Sequence, residues 1–398
     1  FDPMYPRACC KLRRSVQAFW TLGILAGVGV ALAPFVFVLL DLGGASLRFF
    51  NALVLPPAFS VYGFRRGEAI KPPLAEPAVL EFPADGRTAE DVLGVVVVPG
   101  NPGIPQFYSK FAQDIQEELL ATRGLQSHAY VLGYPNFPTG APRVGPVARI
   151  DKEAARLGAA VERLAARHGK EGLVLVGQSI GAWCVLRHIR EVLRGGSDNA
   201  GGKGIVAVVL ATPFLEYDEG QAMLGRLCCS WWGHSLAGLV ANFLVALPRF
   251  VQAFCAVDYG GIVREEDVEA VLQTFGRFPH HLESMVAMAK SEFELLVPNS
   301  STNGFAVLQE LLQDSRFPPV LALYARVDMW APWKHAERMR GMLSRGRGAR
   351  SSVKDYFVDL GDMKHSFCLV PDQSRQVAKH VVTFLDCVQI RTPAAAAA

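Results

Sequence analysis

The stretch GLVLVGQSIGAWCVLRHIREVLR, residues 172–194, decides how this chain is to be read. GLVLVG (172–177) is a continuous apolar run, as expected of a strand buried on both faces. Residues 180–194 follow with helical character. Between them stands Gly177-Gln178-Ser179-Ile180-Gly181, a G-x-S-x-G at a strand-to-helix turn. The bare string carries little weight; its setting carries the reading. A turn this tight admits only small residues two positions either side of Ser179, and its strain lifts the hydroxyl clear of the sheet edge. The N-terminus of the next helix places positive potential beside that hydroxyl. The alternative is an ordinary glycine-rich turn of a doubly wound sheet.

The same alternation extends in both directions. LGVVVVPG (93–100), AYVLGY (129–134), GIVAVVLA (204–211), VLALYA (320–325) and DYFVDL (355–360) read as further strands. Residues 106–122, with Phe107, Phe111, Ile115 and Leu119 at helical spacing, and residues 150–167 and 374–387 read as helices. Strands alternating with helices predict an α/β fold built on a mostly parallel, doubly wound sheet. Residues 91–215 form its first part and 319–391 its second. A helical, apolar cap or lid over 216–318 separates them. Residues 65–90, rich in proline and mixed charges, read as an extended linker, and 392–398 as a disordered tail.

The apolar N-terminal extension, 1–64, reads as a membrane-associated or organelle-targeting segment. Residues 19–40 carry no charge over a length able to cross a bilayer, and 49–64 are also apolar. A buried core helix is the other reading. Within the insertion, SLAGLVANFLVALP (235–248) is too short to span a bilayer, but Trp231-Trp232 before it and Arg249 after it suit an interfacial helix. Trp231, Trp232, Leu239 and Phe243 are therefore expected at a lipid surface. A lid helix packed over the site is equally consistent, and one segment can serve both roles.

A serine nucleophile needs a base, and the base needs an acid to orient it. In chain order Ser, acid, His, the acid is expected just past a late strand and the base past the last one. VLALYA leads to Asp328, and DYFVDL leads to His365. Asp359 and Asp362 rival Asp328; His335 and His380 rival His365. Two backbone N–H groups must receive the developing oxyanion: one from Ile180 and one from the Pro99-Gly100-Asn101-Pro102-Gly103 loop, where Asn101 is the expected donor and Gly103 and Ile104 are the reserves. A plain Pro-Gly turn is the alternative for that loop.

Composition narrows the remaining classes. Lys+Arg of 40 against Asp+Glu of 37 leaves a net charge of +3, which argues against a nucleic-acid binder. Hydrophobic residues make up 51% and charged residues 19%, which argues against disorder and for a lipid contact added to an ordinary core. The eight cysteines contain no CxxC pair, so reduced thiols are expected rather than a zinc ribbon. His280-His281 with Glu283 lacks the spacing of a zinc motif. No phosphate-binding glycine loop follows a strand. No cofactor and no metal are expected.

VVVVPGNPGIPQFYSKF (95–111), GQSIGAW (177–183), VDMWAPW (327–333) and MKHSF (363–367) together resemble the lipid droplet-associated hydrolase family. The resemblance implies an α/β-hydrolase fold, with Ser179 as nucleophile, Asp328 as acid and His365 as base. It implies hydrolysis of lipid esters, of the sterol ester or acylglycerol class. It also implies residence on lipid droplets and the endoplasmic reticulum, with the apolar insertion docking on the droplet. Gln178 stands where the family usually has His. Two other readings stay open: a non-catalytic lipid-droplet or membrane organiser on a hydrolase scaffold, and a thioesterase or short-chain esterase.

Overall fold

A computed structural model describes residues 76–138, 147–168, 171–195, 204–230, 264–278, 280–346 and 355–388, with isolated positions between 238 and 253. Residues 1–64, the tail 392–398, Trp231, Trp232 and Phe243 lie outside the described residues.

Seven strands form one sheet: β1 (Val79–Phe82), β2 (Leu93–Val98), β3 (Ser127–Leu132), β4 (Leu173–Gln178), β5 (Ile205–Ala211), β6 (Val320–Tyr324) and β7 (Tyr356–Asp359). Their order is β1-β3-β2-β4-β5-β6-β7. β1 runs antiparallel to β3; all other pairs are parallel. β2, β3, β4 and β6 are buried at every position, so β2 and β6 read as unbroken apolar runs rather than alternating ones, while β3 also buries Ser127 and His128 and β4 ends in the buried Gln178.

Strand order reverses at β2. From β2 the chain steps outward to β3, then returns to place β4 on β2's other side. Right-handed crossovers in opposite directions send the connecting helices to opposite faces. Accordingly α1 (Ser109–Arg123) packs with α9 (Pro371–Cys387). In a second layer α2 (Ile150–Arg167) packs on α3 (Ile180–Arg194), α3 on α7 (Gly304–Leu312), and α7 on α8 (Trp333–Gly346). Residues 150–167, read as a helix, are α2, whose buried face includes Ile150, Ala154, Leu157, Val161 and Leu164.

Two stretches differ from their sequence reading. Val79–Phe82 lies in the expected linker, yet pairs with β3 from Val79↔Leu132 to Phe82↔Ala129. As an edge strand with one neighbour it is only half buried, so VLEF shows no long apolar run. Between β5 and β6 the described helices are α4 (Ala222–Cys229), α5 (Glu265–Thr274), α6 (His280–Leu295) and α7. α7 lies within the expected cap but belongs to the layer on the sheet, where Phe305, Val307, Leu308, Leu311 and Leu312 are buried. Asn303 caps it, its side chain accepting the Ala306 N–H. Among the described residues no helix is long and apolar enough to cross a membrane. Leu239 is 61% exposed.

Candidate active site

The crevice at a strand-order reversal is where open α/β sheets bind ligands, because neighbouring loops there diverge to opposite faces. Here that crevice is flanked by the ends of β2 and β4, which pair up to Val98↔Gly177. The Pro99-to-Gly103 loop leaves one, and Ser179 leaves the other.

Ser179 has φ 53° and ψ −125°, a region that L-residues rarely occupy. The surrounding structure holds it there. Its N–H donates to the Ala211 carbonyl at 3.1 Å, and its carbonyl accepts from Ala182 and Phe214 N–H, both at 3.1 Å. The flanking glycines are required by close backbone approach. A Cβ on Gly181 would lie 2.5 Å from the Pro99 carbonyl oxygen, and one on Gly177 would lie 2.6 Å from Ala182 Cα. The glycine pattern is thus a steric consequence of the turn.

Asp328 follows β6 and His365 follows β7. His365 Nδ1 lies 2.7 Å from Asp328 Oδ2, and the Asp328 side chain is fully buried while that of His365 is 21% exposed. The other carboxylate oxygen, Oδ1, accepts the Trp330 N–H at 2.8 Å and the Ala331 N–H at 3.0 Å. These amides fix the carboxylate, and the carboxylate fixes the imidazole. With Nδ1–H donating to Asp328, Nε2 is left as the proton acceptor.

The rival groups are placed elsewhere. Asp359 is paired with Arg326 at 2.7 Å, and that partner holds its carboxyl below the usual range. Asp362 is exposed. His335 is buried against Phe305, and burial pushes its pKa down to about 4. His380 lies on α9.

The Ser179 and His365 segments meet through a side chain between them: Gln178 Nε2 donates to the His365 carbonyl at 3.1 Å. Among the described residues no direct hydrogen bond joins Ser179 Oγ to His365. Hydrogen bonds of this kind often form only when substrate is seated.

Ile180 opens α3, so its N–H belongs to the first turn, where helices leave donors unpaired. Asn101 lies in the loop across the crevice. Its side chain is held by the insertion: Nδ2 donates to Glu292 Oε1 at 2.9 Å and to the Met285 carbonyl at 3.1 Å, both on α6. Burial pushes the Glu292 carboxyl up to about 8, opposed by the Asn101 hydrogen bond. Glu292, Tyr108 and Thr212 all contact residues of the site, and sequence reasoning assigned none of them a role. Tyr108 had a local signal, the Phe-Tyr pair after PGNPG; Glu292 and Thr212 had none. Among the described residues no group of three or more His, Cys, Asp or Glu is placed to hold a metal ion.

A family model described as lipid-droplet associated hydrolase matches residues 92–368. The chain belongs to that family. It is accordingly a hydrolase, and the matched span contains the Ser179 turn, Asp328 and His365. No curated protein matches the chain. Among solved structures, the haloalkane dehalogenase DatA from Agrobacterium tumefaciens C58 is similar at 13% identity and a TM-score of 0.53, over 79% of this chain and 97% of that one. An esterase from Thermogutta terrifontis is similar at 16% identity and a TM-score of 0.46, over 78% of this chain and 93% of that one. A monoacylglycerol lipase from Paleococcus ferrophilus stands at 15% and 0.45, over 80% and 100%. The DatA likeness is one of fold: an α/β-hydrolase.

Proposed function

We propose that this hydrolase cleaves lipid esters, of the sterol ester or acylglycerol class, at the surface of a lipid droplet or of the endoplasmic reticulum. The observation that carries the reading is the partly buried Asp328–His365 hydrogen bond beside a strained Ser179 turn. In this mechanism Ser179 Oγ attacks the ester carbonyl carbon while His365 Nε2 takes the hydroxyl proton. Asp328 holds the imidazole tautomer and balances the imidazolium. The oxyanion is received by the N–H groups of Ile180 and Asn101. Collapse expels the alcohol, which takes the proton from His365. Water then repeats the sequence on the acyl-Ser179 ester and releases the fatty acid.

Exposed apolar side chains support an interfacial setting. Val327 and Met329, either side of Asp328, are 73% and 65% exposed, and Leu239 is 61% exposed. Trp231, Trp232 and Phe243 belong to the same proposed lipid contact, and residues 1–64 to membrane association or targeting. A fluorophosphonate probe is expected to label the wild type and not Ser179→Ala. Equal labelling of the two removes the serine mechanism. Emulsified neutral lipid assayed beside soluble esters and acyl-CoA is expected to be the preferred substrate; indifference to a lipid interface would favour a soluble-ester or thioester role.

A further inference from the structure

Gln178 is the last residue of β4 and is 3% exposed. Its side-chain amide makes three hydrogen bonds. Oε1 accepts the Tyr108 hydroxyl at 2.8 Å, and Nε2 donates to Thr212 Oγ1 at 3.2 Å and to the His365 carbonyl at 3.1 Å. The chain continues beyond it. Tyr108 Oη accepts the Gly100 N–H at 3.0 Å, and Thr212 Oγ1 lies 3.5 Å from the same His365 carbonyl.

Direction is fixed throughout. Gly100 can only donate and the His365 carbonyl can only accept. Tyr108 therefore accepts from Gly100 and gives its one proton to Gln178, and the amide must turn Nε2 towards His365. Burial pushes the Tyr108 phenol well above its ordinary pKa, which keeps that proton in place.

One side chain thus ties together the segments that carry three functions. Gly100 precedes Asn101, the candidate oxyanion donor. Gln178 precedes Ser179. The third anchor is the backbone of His365 itself. Thr212 has φ 42°, so the fourth segment is also held in a strained conformation at this junction. The close fit extends to Gly100, where a Cβ would lie 2.8 Å from Ser179 Cβ.

We propose that Gln178 is a positioning residue that sets the general base and the oxyanion loop in register with the nucleophile. This rests on Ser179 as the nucleophile. A neutral imidazole at this position offers one donor and one acceptor, so it could serve Tyr108 and only one of Thr212 and His365. A primary amide serves all three.

The test uses the full chain, a fluorophosphonate probe and a soluble p-nitrophenyl acyl ester. Gln178→Leu is expected to lower kcat and the labelling rate per folded molecule about 10²-fold, the cost of a misplaced catalytic group, with KM within twofold. Gln178→His is expected to fall about 10-fold, and Tyr108→Phe by less. The Tyr108→Phe/Gln178→His double variant is expected to lose less than the product of the single losses, because both act through one chain of bonds. Should Gln178→Leu fail to fold, the other three variants carry the test. Normal kcat per folded molecule in Gln178→His, or multiplicative losses, overturns the proposal while Ser179-dependent labelling of the wild type still stands. Absence of that labelling in the wild type overturns the serine mechanism and this proposal together.

Discussion

Two carboxyl groups approach this site from opposite sides, and their surroundings differ. Asp328 reaches it from the sheet, with its side chain fully buried and met by two backbone N–H groups and an imidazole. Glu292 reaches it from the insertion and is also buried, but among the described residues its carboxyl group is met by the neutral amide of Asn101 alone, and burial pushes it up to about 8. Burial alone therefore does not decide what a carboxyl group does here. The donors that meet it decide. On the sheet side the Asp328 carboxyl group is held by two backbone N–H groups and set against the His365 imidazole. On the other side the Glu292 carboxyl group, pushed up by burial, serves as a hydrogen-bonded contact to Asn101.

The same isosteric change at both positions sharpens this contrast. Asp328→Asn is expected to lower kcat by about 10³- to 10⁴-fold, because an amide permits the wrong imidazole tautomer; steady-state kinetics on a soluble ester reads it. A loss below tenfold would place the orienting acid elsewhere. Glu292→Gln acts on stability. A carboxyl whose folded pKa lies above its unfolded value binds more protons when folded, so its contribution is full below the unfolded pKa of about 4.5 and is lost as pH rises through about 8. The variant removes that slope. Its thermal midpoint at pH 9 is expected to exceed the wild type's by on the order of 2–5 °C, and the advantage to vanish near pH 5. Identical alkaline profiles would show that Glu292 does not carry the proton. The smallest effect is expected from Asp359→Asn, which breaks a partly exposed pair with Arg326: activity within about twofold and stability within about 1 kcal/mol by denaturant unfolding. A larger loss of activity would return Asp359 to contention as the acid.

How far the sequence reveals the site follows from how local each part is. The Ser179 turn is legible because its constraints lie within five consecutive residues: the backbone approaches that demand Gly177 and Gly181 are properties of the turn. Asp328 and His365 are legible because each follows a strand whose apolar run is clear, and because chain order in such sheets fixes which strand end faces the crevice. β1 was hidden because a four-residue edge strand alternating exposed and half-buried positions, set among prolines, has no distinctive run. α7 was hidden because its apolar stripe looks the same whether it packs on a cap or on the sheet. The Asn101–Glu292 contact spans 191 residues between a loop and a helix with no motif on α6 to announce it. Gln178 was visible in the string, but its three bonds depend on Tyr108, Thr212 and His365, which converge only when the sheet is assembled.

The grip of α6 on Asn101 has a mechanical corollary. A lid that swings freely would leave the chemistry beneath it untouched, like a door opening on a furnished room. Here the door is fastened to the furniture: lifting α6 means releasing Asn101 from Glu292 and the Met285 carbonyl, or dragging its loop along. In the proposed mechanism, admission of a bulky ester and readiness to receive its oxyanion would thereby be geared to each other.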